Sequence, residues 1–306
     1  MSLRPFVRVV GVGLVAASCS RPAPGPERAP GPDAVAAPPV SDAALASDAS
    51  ERQPLAGFAL QVDLVEPPEG GLDAGGKPAK LGVVAVPLGA REPRPLMIAL
   101  HGGSDHPEWA CTAWRGIANG YPFLVCPRGT GTNDASLAWA SPGDTKARIA
   151  RAISATRKTF GSWVRDDAPV VLVGFSMGAT QAALLARLDP KRYSRVALAE
   201  SAYAPEAAMS FAGPWSAGGG ERAIFLCTTL GCEAPYRSAA RNVAQHRAPA
   251  RLVIAGTNAH GMWNDVVRAM RRDWPWFVEG LAGWETYAAP AEESPLPGKT
   301  ELFEPR

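Results

Sequence analysis

Eight short apolar runs recur between residues 58 and 257, and helical patterns occupy most of the intervals after the third. The runs are FALQVDLVE (58–66), AKLGVVAVPL (79–88), PLMIALHG (95–102), YPFLVCPRG (121–129), PVVLVGFS (169–176), SRVALAES (194–201), RAIFLCTT (222–229) and ARLVIAGT (250–257). The first two flank the turn-rich stretch PPEGGLDAGGKP and read as adjacent strands. Helices are expected over 107–118, 144–160, 177–189, 234–246 and 263–279. In the second of these, Ile149, Ile153, Thr156 and Phe160 recur at near-helical spacing, with Asp144 as the expected N-cap. Pro190 stops the third. Strands that are apolar on both faces and alternate with helices demand a largely parallel sheet covered on both sides. The expectation is an α/β fold with a mostly parallel, eight-stranded sheet.

The chain has 306 residues, 46% of them hydrophobic, which suffices for one large core. Its formal charge is +2, and no basic run is interleaved with aromatics, so nucleic acid is not expected as a partner. Residues 1–18 read as an export signal: Arg4 and Arg8 precede the apolar run VVGVGLVAAS, which is far shorter than the ~20 residues of a membrane span. The AASC that ends it resembles a bacterial lipobox, although Ala16 stands where leucine is commonest. That resemblance implies a lipid on Cys19, a membrane anchor and, with Ser20 following, the outer membrane of a Gram-negative cell envelope. Ordinary signal cleavage with loss of Cys19 is the alternative. Residues 19–54 are rich in Pro and Ala and read as a disordered tether. The folded domain is expected over 55–288, followed by a loosely ordered tail over 289–306.

Chemistry concentrates at three places. GFSMG puts Ser176 on a G-x-S-x-G turn between a buried strand and a helix, the pattern of a nucleophile elbow. LHGGS (100–104) follows an earlier strand, and AGTNAHG (255–261) follows the last. Together and in this order, these motifs resemble an α/β-hydrolase of the esterase and dienelactone-hydrolase-like type over nearly all of the folded part. The resemblance implies that Ser176 is the nucleophile and His260 the base. It also implies that the amides of Met177 and of Gly103, or failing that Ser104, stabilise the oxyanion. It gives His101 a part in loop structure.

The acid is the departure from that pattern. The loop after the seventh strand, CTTLGCEAPYRS, holds no aspartate, so Glu233 is the favoured partner of His260 and Glu200, after the sixth strand, is its rival. Four cysteines lie beyond Cys19, and in an exported chain an even number points to disulfides. Of three pairings, Cys111–Cys126 and Cys227–Cys232 are favoured, free buried thiols being the alternative. No spacing suggests a metal, and no cofactor is expected. Trp109, Trp139 and Trp263 could together line an apolar cleft. The expected activity is hydrolysis of a small carboxylic ester, with a small peptidase or amidase, or a degenerate surface lipoprotein on the same fold, as alternatives. The sequence leaves the oligomeric state open.

Overall fold

The computed structural model describes residues 52–67, 76–131, 137–201, 205–256, 259–291 and 295–306. The leader, Cys19 and nearly all of the tether lie outside the described residues. All eight expected strands form: β1 (Gln61–Val65), β2 (Lys80–Ala85), β3 (Leu96–Leu100), β4 (Phe123–Pro127), β5 (Val171–Phe175), β6 (Arg195–Ala199), β7 (Arg222–Cys227) and β8 (Ala250–Ile254). A ninth, β9 (Lys299–Phe303), follows in the tail. The helices are α1 (Pro107–Ile117), α2 (Pro142–Phe160), α3 (Met177–Leu188), α4 (Pro205–Ala217), α5 (Leu230–Gln245), α6 (Asn264–Arg271) and α7 (Trp274–Val278).

The strand order is β1-β2-β4-β3-β5-β6-β7-β8-β9. Pairing is antiparallel at β1/β2, β2/β4 and β8/β9 and parallel elsewhere. The two-residue period of a strand divides the apolar runs between two cores. Leu96, Ile98, Leu100, Leu172 and Leu198 face one core, while Met97, Ala99, Val173 and Ala197 face the other. Each core is closed by helices, which is why β3, β4 and β6 are buried at every position.

This topology places the site. From β3 the chain turns to β4 on one side, whereas β5 lies on the other side of β3 and leads on to β6. The two connections diverge, which opens a crevice at the carboxyl ends of β3 and β5. LHGG leaves β3 there, and Ser176 follows β5.

Four expectations change. The tail is not loose throughout: β9 covers the outer edge of β8, Arg237 clasps Glu301 with both Nε and an NH2 group at 2.7 Å, and Thr300 bonds Asp273. An edge strand read from alternating polar and apolar residues gives a weak signal, and KTELF is short. Packing also begins before residue 55, because the Arg52 guanidinium lies 4.0 Å from the Trp163 ring centroid and bonds Ser162. The N-cap of α2 is Ser141, whose Oγ accepts from the Asp144 amide at 3.1 Å. Asp144 sits in the first turn and pairs with Arg148. Finally, the last expected helix breaks at Asp273, before Pro275, into α6 and α7.

Both favoured disulfides are present. Cys111 of α1 joins Cys126 of β4, and Cys227 at the end of β7 joins Cys232 in the first turn of α5. Among the described residues no helix is long and apolar enough to cross a membrane.

Candidate active site

Ser176 follows β5 with φ +53°, a left-handed conformation that costs an L residue about 1–3 kcal/mol. Two glycines make the turn possible through close approach. A Cβ at Gly174 would overlap the Gly178 carbonyl, and one at Gly178 would overlap the carbonyls of Leu100 and His101. The elbow therefore draws α3 onto both β5 and β3, and holds Ser176 at the head of the helix. Of the five described non-glycine residues with positive φ, three surround this crevice: Ser104, Ser176 and Glu200.

Ser176 Oγ lies 3.0 Å from His260 Nε2, and His260 Nδ1 lies 3.2 Å from Glu200 Oε2. Glu200 is fully buried. Burial pushes its carboxyl up, but bonds from His260 and from the Thr228 and Thr229 amides outweigh burial and hold it below the usual carboxylate range. An ionised carboxylate only accepts, so Nδ1 must carry the proton, and neutral Nε2 is left to accept from the serine hydroxyl.

Glu233 is not at this site. It occupies the first turn of α5 and faces Arg237 one turn on at 3.4 Å, where a carboxylate complements the helix dipole. The carboxylate beside His260 is thus Glu200, the rival, and not the favoured Glu233. The reason is geometric: the end of β6 lies beside that of β7, and the Glu200 side chain turns beneath the loop that follows β7.

The LHGGS loop after β3 is fixed by His101, which is completely buried. Burial holds its imidazole below the usual range. Nε2 accepts from the Gly129 amide at 3.0 Å, so the other nitrogen donates to the Gly102 carbonyl at 2.6 Å. Trp139 also belongs to this support: its Nε1 donates to the His101 carbonyl, and its ring packs on the imidazole at 4.7 Å. Asp105 accepts from the Gly102 and His106 amides and closes the turn. The Ser104 amide is committed to the Leu137 carbonyl at 2.7 Å. The amides of Gly103 and Met177 donate to no acceptor among the described residues, and the Met177 side chain packs beside Gly103. Two N–H groups, one of them at a helix N-terminus, are thus available beside Ser176.

No family model and no curated protein matches the chain. Solved structures do. Est1E from Butyrivibrio proteoclasticus, solved with ferulic acid bound, is 14% identical over 65% of this chain and 96% of that one, with a TM-score of 0.51. The fold is that of the α/β-hydrolases. A carboxylesterase from Mesorhizobium loti is 19% identical over 61% of this chain and 90% of its own, with a TM-score of 0.42. TT1662 from Thermus thermophilus is 16% identical over 66% and 94%, with a TM-score of 0.45.

In this α/β-hydrolase fold the crevice opens into a cavity of about 390 Å³. Trp109, Trp114, Phe175, Met262 and Trp263 give it an apolar lining beside Ser176 and His260. Trp109 and Trp263 stand more than half exposed at its mouth. Trp139 does not line it, so the expected trio of tryptophans is a pair. Glu200, Cys227 and Cys232 bring three potential metal ligands within 4.8 Å of one another. The two sulfurs are bonded to each other, which removes both as ligands.

Two features escaped the sequence reading. Thr228 and Thr229, an unremarked pair after β7, bond Glu200. Tyr236 accepts the Ser201 amide at 2.7 Å, its phenol pushed far up by burial. A carboxylate ending an apolar strand was the available signal, since a buried charge requires donors.

Proposed function

We propose that the protein is a serine hydrolase that cleaves carboxylic esters through an acyl-enzyme. The observation that carries this reading is the continuous chain Ser176–His260–Glu200, which runs past the uncommitted amides of Gly103 and Met177. Ser176 Oγ attacks the ester carbonyl as its proton passes to His260 Nε2, and the two amides hold the tetrahedral oxyanion. The C–O bond to the alcohol then breaks, and His260 returns the proton to the departing oxygen. Water repeats the sequence on the acyl-enzyme, releasing the acid and free Ser176. Glu200 orients the imidazole and stabilises its charged form.

The apolar lining favours an uncharged acyl or alcohol group, since among the described lining residues Asp105 and His260 alone can carry charge. A degenerate, non-catalytic fold drew its support from the lack of an acid after β7, and the Glu200 contact removes that support. The lipobox-like AASC further suggests that Cys19 carries a lipid and tethers the domain to the cell envelope.

Turnover of short-chain p-nitrophenyl esters by the domain tests the activity. Ser176→Ala should abolish it with the melting temperature unchanged, and the matching anilides should be poor substrates. Wild-type ester turnover by Ser176→Ala would end the proposal, and faster anilide cleavage would move it to a peptidase.

A further inference from the structure

Glu200 is held almost entirely by one short loop. It leaves β6 at φ +53°, a conformation that its surroundings must impose. Oε1 accepts from the amides of both Thr228 and Thr229, the second at 2.9 Å. Oε2 accepts from Thr229 Oγ1 at 3.0 Å and from His260. The Cys232 sulfur lies 2.9 Å from Oε1. The same loop also reaches the base, because Thr228 Oγ1 donates to the carbonyl of Ala259, the residue before His260, at 2.7 Å.

Both ends of this loop are pinned by one covalent link. Cys227 is the last residue of β7, Cys232 lies in the first turn of α5, and their Cα atoms are 5.7 Å apart. Both are buried. The disulfide thus closes the short loop that carries Thr228 and Thr229, the two residues that donate to Glu200 beside His260, and it presents a sulfur without a proton to the carboxylate. Were Cys232 a free thiol, its S–H would compete with the amides for Oε1, and the loop would lose its closure.

We propose that the Cys227–Cys232 disulfide and Thr229 are the positioning device of the Glu200–His260 pair, holding the carboxylate where it can orient the imidazole. The inference rests on the serine-hydrolase reading. Thr229 and the disulfide touch no reacting atom; they act through Glu200. Cys111–Cys126 makes no contact with Glu200 and serves as the control for loss of a disulfide as such.

The test compares Thr229→Val, Thr229→Ser, Cys227→Ala/Cys232→Ala and Cys111→Ala/Cys126→Ala in one ester assay beside wild type and Ser176→Ala. Thr229→Val removes a single hydroxyl donor to a carboxylate and should lower kcat about tenfold with KM unchanged. Thr229→Ser restores the donor and should restore kcat. The Cys227/Cys232 variant should lose at least as much in kcat, whereas the Cys111/Cys126 variant should lower only the melting temperature. Wild-type kcat in Thr229→Val overturns the inference even if the disulfide variant fails to fold. Equal kcat losses in both disulfide variants overturn it as well. If wild type shows no Ser176-dependent turnover, the hydrolase reading itself falls, and this inference with it.

Discussion

Replacing Glu200 by Gln separates the two candidate acids, and its effect can be worked from the bonding around the carboxylate. Oε1 accepts two backbone amides, while Oε2 faces Thr229 Oγ1 and His260 Nδ1. A glutamine has one carbonyl oxygen, and the two amides will claim it. Its NH2 group must then point at Nδ1, which can accept only by giving up its proton. The imidazole is driven to the Nε2–H tautomer and can no longer take a proton from Ser176. The charge term acts in the same direction. Imidazolium and carboxylate with centres ~4 Å apart attract by about 4 kcal/mol at an effective dielectric of ~20, which is about a thousandfold in rate. We expect Glu200→Gln to lower kcat on a p-nitrophenyl ester about a thousandfold while the folded spectrum persists. Glu233→Gln should stay within about twofold, because a partly exposed pair such as Glu233–Arg237 is worth no more than ~1 kcal/mol of stability and does not reach His260. A Glu200→Gln enzyme within tenfold of wild type, or a larger loss in Glu233→Gln, would refute this reasoning.

Stability should weaken as the pH falls below 6.5, the ordinary histidine value. His101 has a depressed folded pKa, so the unfolded chain binds a proton that the native site refuses. Its contribution is complete above 6.5 and is lost as pH drops toward the folded value. Denaturant melts across this range should flatten in His101→Gln, and an equally steep profile in that variant would assign the pH dependence elsewhere. Cys19→Ala should abolish uptake of labelled palmitate and release the protein from membranes of a bacterial host. Retained label and retained attachment would refute the lipobox reading.

How much of this could be read in the sequence depended on how local each feature is. Ser176, Met177 and the glycines about them belong to one strand-to-helix turn, and their spacing carries the geometry by itself. His260 was marked by the family resemblance, which implies a base after the last strand of the parallel series, and only four histidines occur in the chain. Glu200 could not be fixed in that way. Its part depends on β6 lying beside β7 in the sheet and on a loop 28 residues away supplying donors. Glu233 drew attention as the only carboxylate in CTTLGCEAPYRS, yet acids collect in the first turns of helices whatever their function, and that is where it sits. The same locality explains β9, whose five residues become a strand through the open edge of β8. It also explains α4, whose run of small residues with an internal Pro214 gives little helical contrast. The disulfides were legible because their short separations, 15 and 5 residues, constrain the chain before it folds.

The central claim is that Ser176 is a nucleophile activated by His260, and covalent capture tests it most directly. The folded protein should be treated with a fluorophosphonate, weighed intact by mass spectrometry and mapped by peptide digestion. The expected result is a single phosphonyl group on Ser176, formed rapidly in wild type and slowed by orders of magnitude in His260→Ala. The absence of an adduct on the folded wild-type protein, or an adduct on a different serine such as Ser104 or Ser201, would contradict it.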